Sequence, residues 1–158
     1  MKISEAIEIA RKTNLEYIVL KNWHQPTPKW KEFELLCGEF QGRVSIKEKP
    51  LTDIMNMFLE KSKEAYPNID YEFFLMQADS FRNLNPEESG TYAHTDPHDV
   101  LHWQCRGVTE WTIGSNSDKI QLEPGDLLWF RANTKHKTEN LTEKYALIFN
   151  AGKLSYDQ

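Results

Sequence analysis

Beyond Pro67 the chain breaks into eight short strand-like runs, at 71–78, 91–96, 99–106, 109–113, 119–122, 127–130, 135–139 and 144–150, with no helical pattern between them. Turn residues separate the runs: Asn85-Pro86, Arg106-Gly107, Ser115-Asn116-Ser117-Asp118, Pro124-Gly125-Asp126 and Asn133. Short strands joined by close turns leave no room for crossover helices, so they must pair as an all-β sandwich or barrel. The first 66 residues read differently. Ser4 is a candidate N-cap for a short amphipathic helix carrying Ile3, Ile7 and Ala10. Tyr17 to Leu20 is a β-branched, strand-like run, and Val44 to Ile46 is another. Thr27 followed by Pro28 predicts a helix opening at Pro28 and running to about Leu36. Thr52 to Ala65 places Ile54, Met57, Phe58 and Lys61 at helical spacing, and Pro67 stops it. The expectation is one mainly β domain, in which residues 1–66 pack around the outside of an eight-stranded barrel formed by 67–158.

Composition sets limits. With 158 residues, 39% hydrophobic and 12% aromatic, the chain can bury a real core without metals or disulfides to hold it. Its formal charge of −5 and the lack of a basic block argue against non-specific nucleic-acid binding. Cys37 and Cys105 fit no metal-knuckle or redox spacing and read as two free buried thiols. No stretch approaches transmembrane length, and Glu5, Glu8 and Arg11 interrupt any signal-peptide pattern. These features predict a soluble cytoplasmic protein with no membrane partner.

The histidines carry the chemistry. Four of the five lie in the β half: His94, His98, His102 and His136. The first three are spaced i, i+4, i+8, which on a helix would make one metal-binding face. Pro97 opposes that, because it disfavours the α conformation at Asp96. On a strand, His94 and Asp96 share a face as an H-x-D pair. One imidazole and one carboxylate side by side are two ligands of a 2-His-1-carboxylate site, which wants a third ligand from elsewhere and keeps coordination positions open. His136 is the distant candidate. The bland alternative is a surface Asp among scattered polar histidines. On the strand reading, His98 follows Pro97 in a connection near the mouth, exposed or touching substrate, and His102 faces inward below the triad.

Two longer stretches bear on this choice. Gly125 to Asn140 reads GDLLWFRANTKHKTEN and resembles the second cupin motif, with Gly125, His136 and Asn140 in register. Arg131 and Asn133 replace that motif's Pro and Gly, and Asn tolerates the left-handed turn Gly would supply. Upstream, TYAHTDPHDVLHWQCRGVTEW is similar to the H-x-D strand and hairpin of the cupin-like JmjC hydroxylases, including the Gly107 turn and Trp111. The resemblance covers roughly residues 71–153. It implies a double-stranded β-helix (cupin or jelly-roll) barrel of eight strands. It also implies Fe(II) held by His94, Asp96 and His136, and 2-oxoglutarate as cosubstrate.

The resemblance further implies that Thr91 hydrogen-bonds the far carboxylate of 2-oxoglutarate and that Asn150 faces the metal-chelating end. One position departs from the pattern. Where the family has a Lys that pairs with the cosubstrate, this chain has Thr109, which lacks a charge and would bind the cosubstrate through a single hydrogen bond. Lys144, eight residues after His136, lies close to where related oxygenases place an Arg, and is the natural substitute. Alternation along the last strand puts Lys144, Ala146, Ile148 and Asn150 on the inner face; along 99–106 it puts Val100, His102 and Gln104 there. His102 could then supply a further hydrogen bond to the cosubstrate. Trp103 faces outward beneath the N-terminal helices, Trp111 and Trp129 read as core, and Glu110 and Glu139 lack paired-carboxylate spacing. The implied activity is an Fe(II)- and 2-oxoglutarate-dependent hydroxylase acting on a small-molecule or protein substrate, as a monomer or homodimer. Thr109 keeps open a cupin metalloenzyme that does not use 2-oxoglutarate; a non-catalytic binding module is the third reading.

Overall fold

The computed structural model describes residues 1–38, 42–78 and 91–152. In chain order the elements are α1 (Ile3–Lys12), β1 (Tyr17–Leu20), α2 (Trp30–Cys37), β2 (Gly42–Ser45), α3 (Asp53–Ala65), β3 (Tyr71–Ala78), β4 (Thr91–His94), β5 (Asp99–Arg106), β6 (Thr109–Ile113), β7 (Asp118–Leu122), β8 (Leu127–Phe130), β9 (His136–Asn140) and β10 (Lys144–Ala151). All eight expected runs beyond Pro67 are strands. They form two facing antiparallel sheets, one in the order β1-β8-β5-β10-β3-β2 and the other β4-β9-β6-β7.

Three local expectations need correction. Residues 1–66 do more than pack outside the barrel, because β1 pairs with β8 and β2 with β3, extending the larger sheet at both edges. An exposed sheet edge is a row of unpaired N–H and C=O groups, and these two strands cover it. Lys2, not Ser4, occupies the N-cap of α1. Helix α2 opens at Trp30, two residues beyond Pro28, where the Glu32 carboxylate accepts the Lys29 N–H at 2.5 Å. Helix α3 begins as expected, after Thr52.

Side-chain alternation on the larger sheet divides the interior in two. Its outward face presents Leu101, Trp103 and Cys105 from β5 and Tyr145, Leu147 and Phe149 from β10. Helices α1, α2 and α3 cover that face with Ile3, Ile7, Phe33, Met55 and Phe58. Trp103 lies in this layer, its ring 5.6 Å from Phe58 and 5.4 Å from Trp23. Trp129 belongs to it as well and donates its indole N–H to the Tyr66 hydroxyl. The inward face meets the smaller sheet through Val100, Leu128, Phe130, Ile148, Trp111, Ile113 and Leu122. Polar side chains replace apolar ones at intervals along that inner layer, and they build the site. Among the described residues no helix is long and apolar enough to cross a membrane.

Candidate metal centre

Strand β4 ends at His94 because the next segment carries Pro97, which cannot donate to a ladder. Asp96 therefore reaches the centre from a connection and not from a strand face, as alternation had suggested. The turn after β8 anchors that connection: the Asn133 N–H donates to the Asp96 carbonyl at 2.7 Å, and the Ala132 N–H donates to the Asp99 carboxylate at 2.8 Å. Asn133 holds φ at +66°, the left-handed conformation the sequence pattern required of it. These bonds bring the H-x-D segment against the start of β9, where His136 stands directly opposite His94 in the ladder.

The ligand atoms of His94, Asp96 and His136 all lie within 4.8 Å of one another. His94 Nε2 is 3.7 Å from one Asp96 oxygen and His136 Nε2 is 3.2 Å from the other. Each imidazole is oriented from behind. His94 Nδ1 is 2.6 Å from the Tyr92 carbonyl, and His136 Nδ1 is 2.9 Å from the Thr134 carbonyl. A carbonyl only accepts, so both rings carry the proton on Nδ1 and turn the Nε2 lone pair to the common point. Two such lone pairs and a carboxylate facing one point repel unless a cation lies between them. Burial pushes the Asp96 carboxyl up, but the positive charge that His136, and then His94 and His98, carry when doubly protonated more than reverses this and holds it below its ordinary value; on the singly protonated rings that would bind a metal, the ion itself supplies that charge. The donor set of two neutral imidazole nitrogens and one carboxylate fits Fe(II) and leaves positions for exogenous ligands. Half-exposed His94 opens the centre to solvent on one side, while His136 closes the other.

A cavity of about 100 Å³ continues inward from the triad. Trp111, Phe130 and Ile148 form apolar walls, and Lys144, Met76 and His102 also line it. Lys144 is 2% exposed, and its ammonium donates to the Met76 sulfur at 3.2 Å. No carboxylate pairs with it among the described residues, and burial alone pushes its pKa down to about 8.

His102 is buried as expected, yet it cannot serve as a donor to a ligand. The Gln104 amide nitrogen donates to the carbonyls of Arg106 and Gly107, so its oxygen is the acceptor facing His102 Nε2 at 2.9 Å. That bond fixes the proton on Nε2 and leaves Nδ1 as a lone pair. Burial and the Lys144 charge push the ring down to about 3, so it stays neutral.

The expectation that Thr109 touches the cosubstrate is not met. Thr109 is fully buried outside the cavity lining; its hydroxyl accepts the Trp111 indole N–H at 3.0 Å and donates to the Gln104 oxygen at 3.4 Å. It braces the wall instead of meeting the ligand. His98 is also misplaced by the sequence reading: it is 5% exposed, not at the mouth, and burial lowers its pKa. Asn150 lines the cavity with its amide nitrogen unpartnered. The Thr91 side chain lies outside the described residues. Arg43 and Met76, which also line the cavity, were missed. Arg43 enters through the β2–β3 pairing, which only the unexpected edge position of β2 could have announced; Met76 stands opposite inward-facing Ala146 in the β3–β10 ladder, and alternation along 71–78 could have found it.

No protein-family model and no curated protein sequence matches the chain. Its likeness is to solved structures. The ribosomal oxygenase YcfD from Escherichia coli, in complex with cobalt and 2-oxoglutarate, superposes with a TM-score of 0.60 at 15% identity over 91% of this chain and 50% of that one. This chain thus spans about half the length of YcfD. A cupin-2 domain containing protein from Shewanella frigidimarina superposes with a TM-score of 0.50 at 14% identity, over 78% of this chain and 93% of that one. Protein NMB1881 from Neisseria meningitidis gives 0.51 at 9%, over 80% and 100%. At these identities the likeness establishes architecture, and the chain has the double-stranded β-helix fold of cupins and cupin-like oxygenases.

Proposed function

We propose that this chain is an Fe(II)- and 2-oxoglutarate-dependent oxygenase that hydroxylates a small-molecule or peptide substrate. The observation that carries the reading is Lys144, a buried ammonium with no carboxylate partner among the described residues, in the cavity that begins at the His94–Asp96–His136 triad. A buried unpaired charge is costly, and a dicarboxylate removes that cost if one end chelates the metal while the other reaches Lys144. The binding of cobalt and 2-oxoglutarate by YcfD, on the same fold, supports it.

Fe(II) held by the triad would supply oxygen activation, coupling oxidative decarboxylation of 2-oxoglutarate to C–H hydroxylation, so that substrate, O2 and 2-oxoglutarate become hydroxylated substrate, succinate and CO2. The chain's own residues bind and orient. His94 and His136 present Nε2, with their Nδ1 protons held by backbone carbonyls. Lys144 neutralises the far carboxylate, and Trp111, Phe130 and Ile148 exclude water from the space between. Cys37 and Cys105 are not joined in a disulfide, which fits a reducing cytoplasm, where the protein would act as a monomer or homodimer.

Calorimetric titration of Mn(II)-loaded protein with 2-oxoglutarate tests the reading, followed by detection of succinate with Fe(II) under air. Saturable binding that requires the metal is expected. A protein that loads the metal but takes no 2-oxoglutarate is instead a cupin metalloenzyme of another type. That second reading draws on the neutral Thr109, which supplies no charged anchor where the JmjC-like pattern has one.

A further inference from the structure

The buried ammonium of Lys144 rests on a thioether. The Met76 sulfur accepts from Lys144 Nζ at 3.2 Å, and among the described residues this is the one hydrogen bond that the ammonium makes. A thioether is a weak acceptor and a poor match for a cation. The sheet fixes the pair: Met76, on β3, stands opposite Ala146 in the ladder with β10, one step along the inner face from Lys144. The chain has four methionines. Met55 is fully buried and Met57 half-buried in the outer helical layer, and Met1 is exposed at the start of the chain. Met76 is the one that lines the cavity. It is half-buried there and shares the cavity with half-exposed His94, so a small solute that enters at His94 reaches its sulfur.

We propose that Met76 is an oxidation site whose sulfoxide closes the cosubstrate site: hydrogen peroxide converts the thioether to a sulfoxide, and the new oxygen takes the Lys144 N–H that the far carboxylate of 2-oxoglutarate needs. This rests on the reading of the cavity as a 2-oxoglutarate site and adds a modification site to it. The step balances. A sulfur lone pair attacks one peroxide oxygen, the O–O bond breaks, and the leaving hydroxide takes a proton from the ammonium to become water. The S–OH group then returns its proton to the amine. Sulfur is oxidised by two electrons, peroxide is reduced by two, and Lys144 ends as the ammonium it began as. It now faces a polar S=O oxygen in place of a thioether. That oxygen opposes the ligand twice. It satisfies the cation from within the protein, and it occupies part of a cavity of about 100 Å³.

In the test, metal-free protein is treated with hydrogen peroxide, cleared of it with catalase, loaded with Mn(II) and titrated calorimetrically with 2-oxoglutarate, while peptide mass spectrometry locates each added oxygen. Native protein should gain one oxygen on Met76 and then bind 2-oxoglutarate about tenfold more weakly or worse, the loss of a charge-assisted hydrogen bond, with Mn(II) affinity unchanged. Met76→Leu, compared with itself before treatment, should lose nothing, which separates Met76 from the thiols and indoles that peroxide also attacks. Met76→Gln carries an amide oxygen in place of the sulfoxide oxygen and should bind 2-oxoglutarate more weakly than Met76→Leu with no oxidant at all; this comparison decides the matter if the oxidised protein does not stay folded. A Met76 that stays unmodified while Met1 is fully oxidised, undiminished affinity in protein oxidised at Met76, an equal loss in treated Met76→Leu, or equal affinities for the Gln and Leu variants overturns the proposal and leaves the cosubstrate reading intact. Untreated native protein that loads Mn(II) but takes no 2-oxoglutarate overturns both.

Discussion

Replacing Lys144 with Met should make the unliganded protein more stable and useless for binding a dicarboxylate. The Lys144 pKa falls from 10.5 to about 8 because burial disfavours the ammonium and no anion among the described residues compensates. Holding that charge folded at pH 7 costs about 3 kcal/mol, at 1.36 kcal/mol per unit. Between about pH 8 and 10.5 the unfolded chain binds the proton that the folded chain has released, so stability rises with pH across that window; below pH 8 the whole penalty is present. Met matches the Lys stem in length and meets Met76 as one thioether against another, so the packing survives. At pH 7 the variant should melt higher by on the order of 5–10 °C, since a chain of this size gains about 2–4 °C per kcal/mol. The gap should close as pH approaches 10. In the native protein 2-oxoglutarate with Mn(II) should raise the melting temperature; in the variant it should add nothing beyond Mn(II). Calorimetric melting from pH 6 to 10, with and without ligand, reads all of this. A variant that melts lower than native at pH 7 with a pH-independent gap, or that keeps the 2-oxoglutarate shift, refutes the reasoning.

Asp96→Ala and His136→Ala should each lower Mn(II) affinity more than a hundredfold by titration, because each removes one of three protein ligands, and His102 is committed to Gln104 and does not take its place. Thr109→Lys, which restores the family residue, should destabilise by several kcal/mol and leave 2-oxoglutarate affinity no better, since position 109 is fully buried outside the cavity lining and its hydroxyl braces Gln104 and Trp111; denaturant unfolding and calorimetry check the two halves. Asn133→Val should cost about 1–2 kcal/mol from the positive φ alone and loosen metal binding as well, because the Asn133 N–H holds the Asp96 carbonyl. Phe58→Ala should cost about 3–5 kcal/mol in the same unfolding assay, with Mn(II) affinity unchanged, as Phe58 lies in the outer layer.

What could be read in advance depended on whether the information was local. The eight strands beyond Pro67 were legible because alternation and turn chemistry are short-range, and the inner parity of β5 and β10 followed once the strands were fixed. His94 and His136 were legible for the same reason, each lying on a strand in a recognisable pattern. Asp96 was assigned correctly to the centre for the wrong local reason: it arrives through a proline-ended connection tied to Asn133, some 37 positions further on. Thr109, His98 and His102 show where local reading stops. A hydroxyl at the right register still fails to reach a ligand when two neighbours already hold it, and the tautomer of His102 is set by Gln104, whose amide is set by two backbone carbonyls. These are chains of hydrogen bonds, and each link is decided by the one before. Lys144 is the instructive contrast. Its place on the inner face follows from period-two alternation alone, and its lack of an anionic partner among the described residues is what makes it informative. On the proposed reading, a core that keeps a buried ammonium beside apolar walls, at a cost of about 3 kcal/mol, retains it for a ligand that enters from outside, and the triad lining the same cavity asks that this ligand also carry a group able to bind a metal.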